Sequence, residues 1–226
     1  MSAVQLPFTS DEFFAVFRRY NEAVWPAQWL LNALAVAVVV LAVRGASRRR
    51  RVAGALVAFL WFWAAMVYHA GFFVAINTAA LLFAALFVAE SGLLAVATYG
   101  RALTFRVRAD ARGIAGGALV AYALVGYPLL GYVLGQRYPE MPTFGAPCPT
   151  TIFTFGVLLW TARPVPRVLL VVPALWAAIG SVAALQLGVR EDYGLAVAAA
   201  VALPLLLKQP RPGWRSLGGR HVPRPA

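Results

Sequence analysis

The feature that most constrains this chain is an alternation of long apolar blocks with short connectors in which nearly every charge is an arginine. Seven blocks stand out, at 24–43, 52–70, 78–99, 114–134, 150–162, 168–187 and 194–207. A helix rises ~1.5 Å per residue, and crossing the hydrocarbon core of a bilayer takes roughly 17–25 apolar residues. Five blocks reach that length, while 150–162 and 194–207 fall short of it. A water-soluble fold is excluded by composition. The chain is 62% hydrophobic and 12% charged, about half the usual charged share, so it cannot clothe a core of this size in polar surface. The expected fold is all-α: a polytopic transmembrane bundle of seven spans, 24–207.

The charges orient it. The net charge is +12, and 19 of the 20 basic residues are arginine. Sixteen of the 20 fall in alternate connections: 44–51, 100–113, 163–167 and the tail from Lys208. The opposite side holds only Arg18, Arg19, Arg137 and Arg190, with six of the eight acids. Basic loops stay in the cytoplasm, so the N-terminus is expected outside and the C-terminus inside, in the inner (plasma) membrane. A re-entrant 150–162 would carry seven basic residues outward, which argues that this short block crosses. The same arginines would attract anionic inner-leaflet lipids. Nucleic acid is not expected as a partner, because the basic residues sit in short loops between spans.

Residues 1–23 precede the first span. Thr9 and Glu12 fit a capping box, and Phe13, Phe17, Tyr20 and Val24 recur at helical spacing. An amphipathic helix in the membrane interface is expected, with an extension of the first span as the alternative. Trp25-Pro26 favours a break between the two. The start lacks a basic region and is not read as a cleavable signal. Residues 208–226 read as a basic, disordered cytoplasmic tail.

The exceptional passage is "YPEMPTFGAPCPTTIFTFG", 138–156, with four prolines and the lone cysteine ahead of a helix too short to span alone. Its entry is expected to dip into the outer half of the bilayer, where non-helical backbone survives only inside protein or along a wet cavity. A helix start there offers amides and a positive dipole end to an anion or polar solute, as broken helices do in transporters. The candidate pocket residues are Tyr138, Thr143, Cys148, Thr150 and Thr151, with His69 and Asn77 nearby; the competing reading is a rigid outer plug. Cys148 is either reactive, at a helix N-terminus, or a small packing residue. Glu90 lies mid-span without a basic partner and is a candidate intramembrane proton site, with Asn32, Asn77 or Gln186 as hydrogen-bond partners. Gly113/Gly117 and Gly131/Gly135 form GxxxG pairs suited to helix contacts, and a homo-oligomer is left open.

One cysteine permits no intrachain disulfide and no zinc cluster. No lysine lies within a span, which excludes a retinal Schiff base. No nucleophile stands with a base, so an enzyme is disfavoured, and no cofactor or metal is expected.

The stretches "LPFTSDEFFAVFRRYNEAVWPAQ", "YHAGFFVAIN" and "YALVGYPLLGYVLGQRYPEMPTFGAPCPTTIFTFG", with the Arg-rich loop at 100–113, resemble an uncharacterised, domain-of-unknown-function family of small bacterial multi-pass membrane proteins. The likeness covers 6–207. It implies a bacterial integral membrane protein and says nothing of a substrate. Two functions are carried forward: a transporter-like or solute-binding protein with an outward-facing site at the broken fifth helix, and a non-enzymatic structural, sensory or assembly subunit.

Overall fold

A computed structural model describes residues 6–44 and 46–209, the side chain of Ser47 excepted. Residues 1–5 and the expected tail from 210 onward lie outside the described residues. The fold is all-α. Helices α1 (Ser10–Ala23) and α2 (Ala27–Arg44) are followed by α3 (Ser47–Trp63), which continues as a π-helix over Ala64–Phe72, and by α4 (Ala80–Tyr99). Helix α5 (Ala111–Ala121) passes through a π-helical turn, Tyr122–Gly126, into α6 (Tyr127–Val133). Then come α7 (Pro147–Leu159), α8 (Val171–Leu187) and α9 (Tyr193–Leu207).

Five helical stretches are long and apolar enough to cross a membrane: Ala27–Arg44, Arg48–Ala75, Ala80–Tyr99, Ala111–Val133 and Arg167–Leu187. Helices α7, of 13 residues, and α9, of 15, are shorter. Large apolar side chains face outward around the bundle, including Trp29, Leu82, Val96, Ile114, Val133 and Leu185, each between 61% and 72% exposed. In water such a surface would drive association; hydrocarbon is its natural solvent.

The short helix is the axis. Every residue of α7 except Cys148 is buried, with α3, α5, α8 and α9 packed about it. A helix sheathed in protein need not match the bilayer thickness itself. Polar side chains tie it to its neighbours: the Trp61 indole on α3 donates to Thr154 Oγ1 at 2.9 Å, and Trp160 at its end donates to the Gly113 carbonyl at 3.0 Å. Arg112 caps its C-terminus, donating to the Leu159 carbonyl at 3.2 Å, and so satisfies an acceptor that has no partner within the helix.

Helix α1 begins with the expected capping box: Thr9 Oγ1 accepts from the Glu12 amide at 3.3 Å, and the Glu12 carboxylate accepts from the Thr9 amide at 2.8 Å. Its apolar side, with Phe13, Val16, Phe17 and Tyr20, packs on protein, in a second core that includes Tyr68 and Phe73 of the π-helical stretch and its end, and Ala184 of α8. The helix stops at Ala23, just before Trp25-Pro26.

The anticipated glycine contacts are corrected. A Cβ at Gly117 or Gly135 would meet nothing within 4 Å, and Gly113 packs on the Arg108 carbonyl of its own preceding loop. The close crossing is instead between α5 and α7, at Gly116 and Gly156. A Cβ on Gly116 would lie 2.7 Å from the Gly156 carbonyl oxygen, and one on Gly156 would lie 2.8 Å from that of Gly116. The pair is 40 positions apart in sequence, so no local motif marks it. Gly116→Ala is therefore expected to destabilise the protein by about 1–3 kcal/mol through overpacking. Gly117→Ala, one residue along, removes glycine's helix penalty and stabilises by about 0.5–1 kcal/mol. Denaturation midpoints in one detergent should shift in opposite directions.

Candidate functional site

The site is built on the irregular backbone that leads into α7. One buried side chain, Asn21 at the end of α1, holds it. Asn21 Nδ2 donates to the carbonyls of Pro139 at 2.6 Å and Met141 at 2.8 Å, and its Oδ1 accepts from the Thr143 hydroxyl at 2.8 Å. The Tyr138 hydroxyl and Gln28 Nε2 both donate to the Asn21 carbonyl, at 3.2 and 2.7 Å. These bonds supply the partners that irregular, buried backbone must find within the protein. At Gly145 the chain turns with φ +101°, and a Cβ there would lie 2.4 Å from Leu31 Cδ1. Both conditions demand glycine. An ion pair between Arg18 and Glu140 closes the outer edge.

Beside the start of α7 lies a cavity of about 390 Å³. Its walls come from α1 (Phe13, Phe17), the π-helical stretch (Tyr68), α7 (Pro147, Cys148) and one side of α8. Ala178 and Val182 of α8 line it and are exposed, so the rim on that side meets the surroundings of the bundle. The lining is overwhelmingly aliphatic and aromatic.

Asp192 is the acidic group on the lining. It ends the short turn Arg190–Asp192 that joins α8 to α9, and it is only 4% exposed. The Tyr127 hydroxyl donates to Asp192 Oδ1, and Cys148 lines the same cavity. Glu191 is fully buried next to it, beside Gln136, and its carbonyl accepts from the Tyr122 hydroxyl at 2.7 Å. The π-helical turn explains why two tyrosines five residues apart reach the same loop. Its wider winding sets Tyr122 and Tyr127 on one side, with ring centroids 6.2 Å apart. Pro128, which has no N–H to give to the preceding turn, stands just past it. Gly194 lets Tyr122 in: a Cβ there would lie 2.2 Å from the ring.

Of the residues singled out in the sequence, Cys148 and Asn77 line this cavity. Tyr138 and Thr143 belong to the Asn21 clamp instead. Thr150 and Thr151 are buried within α7, and Thr151 is turned back on its own helix, donating to the Pro147 carbonyl at 2.8 Å. His69 is fully buried behind the wall, caged by Phe87, Trp176, Tyr68 and Phe83 at centroid distances of 4.7 to 5.8 Å, and neither ring nitrogen has a hydrogen-bond partner among the described residues. Glu90 is fully buried on α4, and no hydrogen bond reaches its carboxyl from Asn32 or Asn77, which bond to Gln28 and Ala79.

The helix start also differs from the expected anion site. Pro147 and Pro149 have no N–H, and the Thr150 amide is taken by the Ala146 carbonyl at 3.2 Å. Cys148 alone can present an amide there, next to a carboxyl group. Asp192, Glu191, Tyr127 and Asn21 were missed in the sequence because each looks like an ordinary loop or interface residue; only the tertiary fold buries them. Among the described residues no group of three His, Cys, Asp or Glu could hold a metal ion.

Burial pushes the Asp192 carboxyl up to about 7 from its ordinary 3.8; the Tyr127 hydrogen bond opposes the rise, the Glu191 charge adds to it and the Cys148 thiol opposes it. The folded chain thus holds this proton more tightly than the unfolded chain. The stabilisation is complete below pH 3.8 and is lost as the pH rises to about 7. Glu191, raised by burial, adds to the same trend. The thermal midpoint of the wild type should fall over this window, and Asp192→Asn should flatten most of that slope and melt higher than wild type at about pH 8.

Neither a curated protein nor a solved structure matches the chain. One family model does match, over residues 10–213, which takes in the Asn21 clamp, all of α2 to α9 and the walls of the Asp192 cavity except Leu6 and Phe8. The chain therefore belongs to DUF6064, a family of unknown function.

Proposed function

We propose that this protein is a solute-binding, transporter-like protein of the bacterial inner membrane. It crosses seven times, with the N-terminus outside, and its site opens toward the outer half of the bilayer. The observation that carries the reading is the cavity of about 390 Å³ whose apolar wall holds one buried carboxyl, Asp192. Ligand pockets are typically concave and mostly apolar, with a few placed polar groups that fix orientation. The cavity favours this reading over a purely structural subunit, which would need no such space.

The lining narrows the solute. An anion would meet the Asp192 carboxyl, with Glu191 buried behind it, and find few amides. A compact, mainly apolar molecule with one hydrogen-bond-donating or amine group would place that group on Asp192 and its body against the Phe13, Phe17 and Tyr68 rings. The exposed rim at Ala178 and Val182 suits entry from the lipid side for such a molecule. The charge distribution supports the orientation, since the basic loops cluster opposite the cavity. Helix α7 can cross although short, because it is encased in protein, and α9 at 15 residues falls only slightly below the usual span length.

Cys148 is the only thiol in the chain and lies on the cavity wall, so it reports occupancy. N-ethylmaleimide, small and neutral, is expected to add one label to the protein in membranes. A bulky side chain at a lining position, Ala183→Trp, should slow labelling severalfold or more while leaving the gel-filtration profile unchanged. Hydrophobic amines that bind should protect the thiol in the same way. Labelling at an unchanged rate in the filled variant, or none in the wild type, would remove the cavity from the account.

A further inference from the structure

A second cavity, of about 260 Å³, lies at the opposite end of the bundle and is lined by Arg50, Arg51, Thr98, Arg101, Leu103, Thr104 and Arg163. We propose that it is a binding site for a phosphate group, either the head group of an anionic lipid or a free phosphate.

Three chain segments bring these cations together. Arg50 and Arg51 stand in the first turn of α3, while Thr98 and Arg101 end α4 and begin the following loop. Arg163 follows α7. The two loops are pinned to each other: the Arg106 amide donates to the Trp160 carbonyl at 2.6 Å, and the Ala162 amide donates to the Thr104 carbonyl at 2.7 Å. Arg163 Nη1 reaches the Arg101 carbonyl at 3.5 Å.

No acidic side chain among the described residues neutralises the cluster: the ion pairs there are Arg18–Glu140 and Arg108–Asp110, and neither involves these four arginines. Two polar atoms of the lining residues, Arg50 Nε and Thr98 Oγ1, are buried and have no hydrogen-bond partner among the described residues, and Thr98 is fully buried. The packing is arranged around that threonine: Gly54 of α3 lies so close that a Cβ would sit 2.3 Å from its hydroxyl. Arg101 has φ 61°, the one non-glycine residue with positive φ among the described residues. That conformation is costly for a side chain with a Cβ, and such outliers cluster at functional sites.

The start of α3 points the same way. Arg48 to Arg51 follow one another at its start, and its N-cap residue, Ala46, supplies no side-chain cap. Cations oppose the helix dipole at this end. A bound phosphate reverses the balance, because it accepts from helix amides and guanidinium groups together. Guanidinium forks and a threonine hydroxyl are the donors that phosphate recognition uses. The cavity is independent of the Asp192 site, and the proposal holds whichever solute that site takes.

The test uses the full-length protein, delipidated in a neutral detergent and titrated with inorganic phosphate and, separately, with short-chain phosphatidylglycerol; phosphatidylcholine serves as the zwitterionic comparison. Native mass spectrometry counts bound molecules. One saturable site is expected. Phosphatidylglycerol binding without phosphate binding assigns a lipid, and phosphate binding alone assigns a soluble ligand. Arg51→Gln/Arg101→Gln/Arg163→Gln should weaken binding by about tenfold or more. Arg44→Gln/Arg106→Gln/Arg167→Gln, with the same charge loss at exposed positions of the same end, should have little effect. Thr98→Val, which keeps every charge, should weaken binding severalfold. Equal losses in the two triple variants would mean diffuse surface attraction and overturn the proposal, as would the lack of any saturable phosphate or phosphatidylglycerol binding.

Discussion

The whole molecule depends on how backbone polar groups are satisfied where water is absent. A chain entering lipid must pair every amide and carbonyl with itself or with neighbouring protein. Helix α7 and the loop before it meet this demand by burial. The helix is encased by α3, α5, α8 and α9, and the loop is held by a single asparagine, Asn21, which engages three carbonyl or hydroxyl groups while its own carbonyl receives two more donors. Without that clamp, the loop carbonyls at Pro139 and Met141 would be left unpaired. The irregular backbone here is what makes the Asp192 cavity possible, because α7 begins at Pro147 and leaves room between α1 and α8 beside its first turn.

The two ends of the protein carry opposite chemistry, and the same central helix separates them. At one end its start borders an apolar chamber lined by the buried Asp192, and tyrosines at either end of a π-helical turn hold Asp192 and the neighbouring Glu191. At the other, its C-terminus is capped by Arg112 and followed by a loop that brings Arg163 into a cluster of guanidinium groups with no acidic partner among the described residues. The Gly116–Gly156 crossing sets the distance between α5 and α7, and with it the position of Tyr122 and Tyr127 relative to Asp192. Packing in the middle of the bundle thereby bears on geometry at the Asp192 cavity.

How much of this could be read from the sequence follows from the range of the interactions involved. The apolar blocks, the Thr9/Glu12 capping box, the break at Trp25-Pro26 and the short helix α7 are set by neighbouring residues, and the helix boundaries agree with them. The oddity of 138–156 was also legible, and Cys148 within it lines the cavity. What the sequence hid depends on partners far along the chain. Asn21 reads as part of a polar helix face, yet its bonds span more than a hundred residues. Asp192 reads as a loop acid. The GxxxG spacing pointed to Gly117 and Gly135, which face open space, while the true contact joins two glycines on different helices. The π-helical turns leave no composition signal apart from Pro128. Free amides at the start of α7 were expected, but the two prolines that mark that start remove them.

Helix α7 is enclosed by protein on every side, and its N-terminal end alone borders a cavity. Single cysteines placed along 146–159, Gly156 excepted, in a Cys148→Ala background, then probed in membranes with a lipid-soluble and a water-soluble thiol reagent, measure this directly. The predicted result is reaction at 146–148 and none with either reagent from 150 to 159. Reactivity with the lipid-soluble reagent that recurs every three or four residues along the helix would mean that α7 shows one side to lipid, and would contradict the buried axis and the chamber built on it.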